Sequence, residues 1–321
     1  MFELLLLALG VAFYVAWSMG SNSEMMATTV GSGIFSIRRA VMVSAIFTFI
    51  GALTLGRGVM ETIGKGIIHE ETLIQFYIAP VIIGAVVGLW LMISTWRRIP
   101  ISTTHSIVGA ILGFGLAQSL QMNWTTVSKV ILSAIFSPIV AIVLAILFYH
   151  FLVKKYLQKL TGVWERERRE VFFGFMQVIG ASLVALSFGA NDVSKAVGIL
   201  VPYFENSNLI LLQLLGAAGM SLGVLMWSYR VLRTVGKDLV ELIPSRGFII
   251  EISTAISVLF FTFMSMPVST SHTLVGATVG TGIAYGVRKV RMEVVKSILF
   301  NWVVTIPFTM LLAAILTKIL I

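Results

Sequence analysis

The chain has no cysteine among its 321 residues, and charged side chains make up only 12% of it. The first absence excludes disulfides and thiolate metal centres and leaves the redox compartment unmarked. The second excludes a soluble globular domain of this size, for which about a quarter of the residues would be charged. What fills the chain instead is apolar. Hydrophobic residues are 58% of it, the mean hydropathy is +0.98, and several runs approach the ~20 apolar residues that cross a bilayer. The fold class is therefore all-α, a polytopic membrane protein. Acids are scarce as well: 14 Asp and Glu stand against 23 Lys and Arg, a formal charge of +9. That excess suggests nucleic acid, but its placement is the positive-inside bias of cytoplasmic loops, and no nucleic-acid partner is expected. Met1 to Val15 has no basic n-region or cleavage site and reads as a first transmembrane helix, not a removable signal peptide.

One stretch occurs twice. Residues 100–110 read PISTTHSIVGA and residues 267–277 read PVSTSHTLVGA, with a constant offset of 167 at Pro100/Pro267, His105/His272 and Gly109/Gly276. Seven of eleven positions are identical and four swap like for like, which marks an internal duplication. The stretch is built as a helix start. A proline makes the break, three hydroxyl residues cap the first turn, and a Gly/Ala-rich apolar run follows. Helix N-termini with spare hydroxyls suit anions, and inside a bilayer they mark substrate sites.

The rest of the chain follows the duplication. Spans are expected to about Met19, at 40–56, 73–96 and 127–152, and again from 171 to a break at Gly189-Ala190-Asn191-Asp192, up to Tyr229, at 248–266 and from 294. Residues 57–72 are amphipathic and read as interfacial, with T-I-G-K at Thr62 answered by T-V-G-K at Thr234. The expected organisation is a first repeat, 1–152, a charged cytoplasmic linker, 153–170, and a second repeat, 171–321. Each hydroxyl-stretch helix counts as one passage, crossing fully or as a re-entrant hairpin. That gives about ten passages with broken helices or hairpins, five per half, and so two inverted repeats. With both termini outside, eighteen of the 23 Lys and Arg fall inside, four (Arg57, Lys65, Lys129, Lys318) outside, and Lys195 within the membrane. That asymmetry supports the orientation.

Acids inside a membrane are costly and usually functional. Asp192 is the clearest, in F-G-A-N-D-V-S-K, where glycine would let the helix open and Asn191 and Asp192 would offer oxygens to a hard cation such as sodium; an ordinary polar loop is the alternative. Lys195, three residues on, shares its face and either pairs with Asp192 or meets an anion. The first half carries a partial copy, G-S-N-S-E. Asn22 is kept, Ser23 stands where the acid would be, and Glu24 follows, as a cation ligand or as a cap for the next helix. This copy is two residues longer: Gly20 to Gly189 is 169, whereas Gly31 to Gly198 is 167. Ser102, Thr103, Thr104, Ser269, Thr270 and Ser271 are the anion candidates, with helix capping alone as the other reading. His105 and His272 either act as accessory donors or are simply packed. Ser102 or Ser269 with the nearby histidine lacks a third, orienting group, so no enzyme is expected.

G-x-N-D with P-[IV]-S-T-[ST]-H in both halves resembles the PiT-type inorganic phosphate transporter family, over nearly the whole chain. Ser23 departs from the family pattern, which usually has Asp there, and the long central domain of animal members is absent, as in a minimal microbial form. The resemblance implies a phosphate symporter of the cell membrane driven by sodium or protons, often a homodimer, with coupling sodium ions and no other cofactor. A sulfate permease and a passive anion channel are the rival functions.

Overall fold

The computed structural model describes residues 2–99, 101–157, 166–232, 242–286 and 292–321. Pro100, the heart of the linker at 158–165, Arg233, the second T-V-G-K stretch, and Arg288, Lys289 and Arg291 lie outside the described residues.

The described residues are helical almost throughout. In order they form α1 (Phe2–Ser21), α2 (Ala27–Gly31), α3 (Ile37–Thr54), α4 (Arg57–Glu61), a π-helical turn (Thr62–Gly66), α5 (Glu70–Leu73), α6 (Ala79–Trp96), α7 (Thr103–Ala117) and α8 (Trp124–Phe148). A π-helical extension (Tyr149–Leu157), α9 (Arg166–Gly198), α10 (Leu209–Trp227), α11 (Pro244–Phe263), α12 (Thr270–Ala284) and α13 (Met292–Leu320) follow. Eight helices among the described residues are long and apolar enough to cross a membrane. α7 and α12 have 15 residues each, a rise of about 22 Å, which falls short of the ~30 Å hydrocarbon layer.

Helices pair across the duplication. α1 packs on α10 and its counterpart α9 on α3; α7 packs on α13 and its counterpart α12 on α8. Close approach is made by glycine. Gly109 and Gly113 of α7 lie against Ile306 and Met310 of α13, and Gly276 and Gly280 of α12 against Pro138 and Ile142 of α8, the small-xxx-small pattern of membrane helix contacts.

Three sequence expectations change. The break at Gly189 is not there: α9 runs unbroken for 33 residues through Asn191 and Asp192. Gly189 is needed for another reason, since a Cβ there would lie 2.1 Å from the Thr48 carbonyl oxygen of α3. Only the first copy is broken, over Asn22–Met26, where Met26 takes a left-handed φ of 62°; this is where the two extra residues fall. Second, both ends of the stretch read as a linker loop, 153–170, are helical. Lys154 lies in the helical extension after α8, and α9 begins at Arg166 with Glu170 bonding Ser245. Third, the amphipathic stretch 57–72 lays its apolar side on protein: Ile63, Ile67 and Ile68 are buried and Gly64 meets Gly198. Its charges pair at the surface as Arg57–Glu61 and Lys65–Glu70.

Gly189→Val should therefore cost about 1–3 kcal/mol through overpacking, whereas Gly10→Ala, with nothing within 4 Å of the new Cβ, should be neutral or stabilising by roughly 0.5–1 kcal/mol. Thermal unfolding of the two variants in detergent checks this; equal midpoints would contradict the close-approach reading.

Candidate functional site

The two hydroxyl stretches meet. Ser102 caps α7 by accepting from the His105 N–H at 3.1 Å, and Ser269 caps α12 by accepting from the His272 N–H at 3.3 Å. Capping is thus real, but it uses only the first hydroxyl of each triplet. The second hydroxyls, Thr103 and Thr270, donate to the two oxygens of Asp192 at 3.2 and 3.0 Å. The third cross over: Thr104 donates to the Val268 carbonyl at 2.6 Å, and Ser271 to the Ile101 carbonyl at 3.3 Å. Residues 101 and 268 are themselves counterparts at the offset of 167, so each loop is tied to the other by the same bond.

Two asparagines pin these loops. Asn22 donates to Thr95 Oγ1 (3.0 Å) and the Ile99 carbonyl (3.2 Å) and accepts from the Ile101 N–H (3.2 Å). Asn191 donates to Thr262 Oγ1 (2.9 Å) and the Met266 carbonyl (3.2 Å) and accepts from the Val268 N–H (3.1 Å). Both residues, expected as cation ligands, act here as clamps that hold the approach to each hydroxyl stretch; each amide oxygen keeps one lone pair.

Lys195 is completely buried. Its ammonium forms an ion pair with Asp192 and donates to Thr103 Oγ1 (2.9 Å), Thr104 Oγ1 (3.0 Å) and the Val268 carbonyl (2.9 Å). Pairing with the acid and contact with the anion candidates, alternatives in the sequence, are one arrangement in the structure. Glu24 is buried in the break after α1, beside Ser271, with Oε1 unpartnered. It does not cap α2, whose first-turn amides take no side-chain bond. Ser23 turns inward locally, accepting from the Met25 N–H at 3.4 Å. The histidines pack in a layer of their own. The rings of His105 and His272 lie 4.8 Å apart, edge to face, and His272 stacks on Trp302 at 3.4 Å, lining an apolar crevice of about 580 Å³ between α8 and α13.

A third buried acid was not singled out in the sequence. Glu251 of α11 is fully buried and accepts from Thr28. Thr28 accepts from Gln177 at 3.2 Å, and Gln177 in turn from Ser32 at 2.9 Å, while Glu251 Oε2 has no partner. The available signal was an acid inside the expected span 248–266.

A bundle of membrane-crossing helices around a buried cluster of hydroxyls, one cation and two acids defines a membrane transporter. The family model of the phosphate transporter family matches residues 19–313, and this chain belongs to that family. It is 32% identical to a candidate phosphate permease of Pyrococcus furiosus, over 98% of this chain and 96% of the relative. It is 30% identical to the chloroplastic inorganic phosphate transporter 2-1 of Arabidopsis thaliana, over 95% of this chain and 70% of the relative. A solved structure, a sodium-dependent phosphate transporter, superposes with a TM-score of 0.88 at 27% identity, covering 99% of both chains.

Proposed function

We propose that this chain imports inorganic phosphate by symport with sodium. The observation that carries the reading is the meeting of both hydroxyl stretches with Glu24, Asp192 and Lys195 at one buried site. A bare phosphate anion buried there would cost tens of kcal/mol by rough Born reasoning. The N-termini of α7 and α12, the hydroxyls of Ser102, Thr103, Thr104, Ser269, Thr270 and Ser271, and the Lys195 ammonium offset part of that cost. Sodium held at Asn22, Ser23 and Glu24, and at Asn191 and Asp192 wherever Lys195 leaves room, offsets more and supplies the coupling. Two inverted repeats, 1–152 and 171–321, joined by a cytoplasmic linker within 153–170, would present the site to either side of the cell membrane in turn. Both termini are then external, and the unit is a homodimer.

Labelled phosphate uptake into proteoliposomes, with sodium and proton gradients imposed separately and sulfate or arsenate as competitor, tests the reading. Accumulation against a gradient under sodium supports it. Accumulation under a proton gradient alone makes the unpartnered Glu24 oxygen a proton carrier. Equilibration without accumulation means a passive channel.

Glu24→Gln should abolish sodium-driven accumulation while phosphate exchange partly survives, because the amide keeps the shape but loses the charge. An unaltered sodium dependence in a well-folded variant would remove Glu24 from the coupling site.

A further inference from the structure

Two oxygen sets related by the offset of 167 meet at the site, one for the acid of each half. Around Asp192, the second-half acid, it is made of Thr103 and Thr104 from the first half and the Val268 carbonyl from the second. The counterparts at the offset of 167 are Thr270 and Ser271 from the second half and the Ile101 carbonyl from the first, with Glu24, the first-half acid, beside Ser271. The two sets differ in what they surround. In the Asp192 set, the ammonium of Lys195 stands among four oxygens, three of them at 2.9–3.0 Å, in the range of N–H···O bonds. An ammonium has three hydrogens, so all are engaged and one oxygen is shared. In the first half, the counterpart of Lys195 is Thr28, which is neutral and donates to Glu251. No ammonium enters from that side among the described residues, and Glu24 keeps an unpartnered oxygen.

We propose that Lys195 is a tethered counter-ion: it occupies the second-half cation site permanently, so that the transporter takes one coupling sodium fewer than its two oxygen sets would otherwise bind. The inference rests on the symport reading above. It makes Asp192 the partner of the chain's own cation and leaves the Glu24 site to the exchangeable one. A sodium ion cannot displace the ammonium without leaving a buried charge unpaired, which costs several kcal/mol.

The test is a count of bound sodium. Sodium-22 binding to the purified, detergent-solubilised chain is measured by scintillation proximity for the wild type and Lys195→Asn. The variant should bind one more sodium per chain, because Asp192, Thr103, Thr104 and the Val268 carbonyl are freed and the new amide adds an oxygen. An equal count in a monodisperse variant overturns the proposal. Should Lys195→Asn fail to fold, the double variant Asp192→Asn/Lys195→Met, which removes both charges together, should bind the wild-type number. Loss of one sodium there shows that Asp192 held an exchangeable ion, and overturns the proposal equally. If no gradient drives phosphate uptake by the wild type, the symport reading fails, while the binding counts still decide the role of Lys195.

Discussion

Asp192→Asn should abolish phosphate accumulation and lower stability by about 3–5 kcal/mol, the cost of removing one partner from a buried ion pair. The carboxylate accepts from three groups at once: the Lys195 ammonium, Thr103 and Thr270. Thr103 belongs to α7 and Thr270 to α12, so the same two oxygens fasten both hydroxyl stretches to α9. An amide supplies one acceptor in place of two and no charge, leaving a fully buried ammonium with only hydroxyl and carbonyl oxygens. Adding Lys195→Met to Asp192→Asn should recover most of the lost stability without recovering uptake, because the unpaired buried charge goes but the positive charge that offsets the anion goes with it. Unfolding in detergent followed through the double-mutant cycle, with uptake in proteoliposomes, decides this. Wild-type accumulation by Asp192→Asn would remove the ion pair from the site.

Asn191→Ala should destabilise the protein by about 3–6 kcal/mol and weaken phosphate affinity at least tenfold. Its side chain makes three bonds across 71 to 77 residues of sequence. Their loss leaves two backbone groups and a threonine hydroxyl short of partners, at about 1–3 kcal/mol for each unpaired buried group. The affinity loss has a separate cause. The Val268 N–H and the Met266 carbonyl lie just ahead of Ser269, and without the clamp the stretch Ser269–Ser271 no longer has a fixed position. Asn191→Asp distinguishes this from charge effects: it keeps the acceptor for Val268 but loses both donors, and should not rescue. Full affinity in Asn191→Ala would mean that the cap at Ser269 alone holds the loop. Asn22→Ala should behave alike, since it makes the same three bonds to α6 and to the residues before α7.

Where the sequence repeated itself, it was legible. Two duplicated helix starts predicted α7 and α12, which begin at Thr103 and Thr270 and end at Ala117 and Ala284, each pair 167 apart. The i, i+3 spacing of Asp192 and Lys195 offered their pairing as one of two readings, and the structure shows that pair. What lay outside the repeat was harder to see. Glu251 has Gly84 as its counterpart, so a search guided by duplicated motifs passes over it. The role of Asn22 and Asn191 as clamps depends on partners 71–79 residues away, which no local pattern encodes. The continuity of α9 also escaped, because glycine reads the same whether it opens a helix or admits a neighbour. Only the Thr48 backbone against Gly189 tells which.

The crossed pairing of helices sets a timetable for biogenesis. α1 packs on α10, which begins at residue 209, some 190 residues after α1 ends. At about 5–20 residues per second, the ribosome needs roughly 10–40 s to deliver that partner. Meanwhile α1 holds Ser18 and Ser21 on its interior side, and the acid at Glu24 follows. A nascent chain in this state has α6 to set against α1 but not α10, and the polar positions that α10 will cover face lipid or the insertion machinery. The late arrival of α10 and α13 is then the step that commits the chain to its assembled form: a truncation before α10 leaves α1 without its mate, and one before α13 leaves α7 without its own.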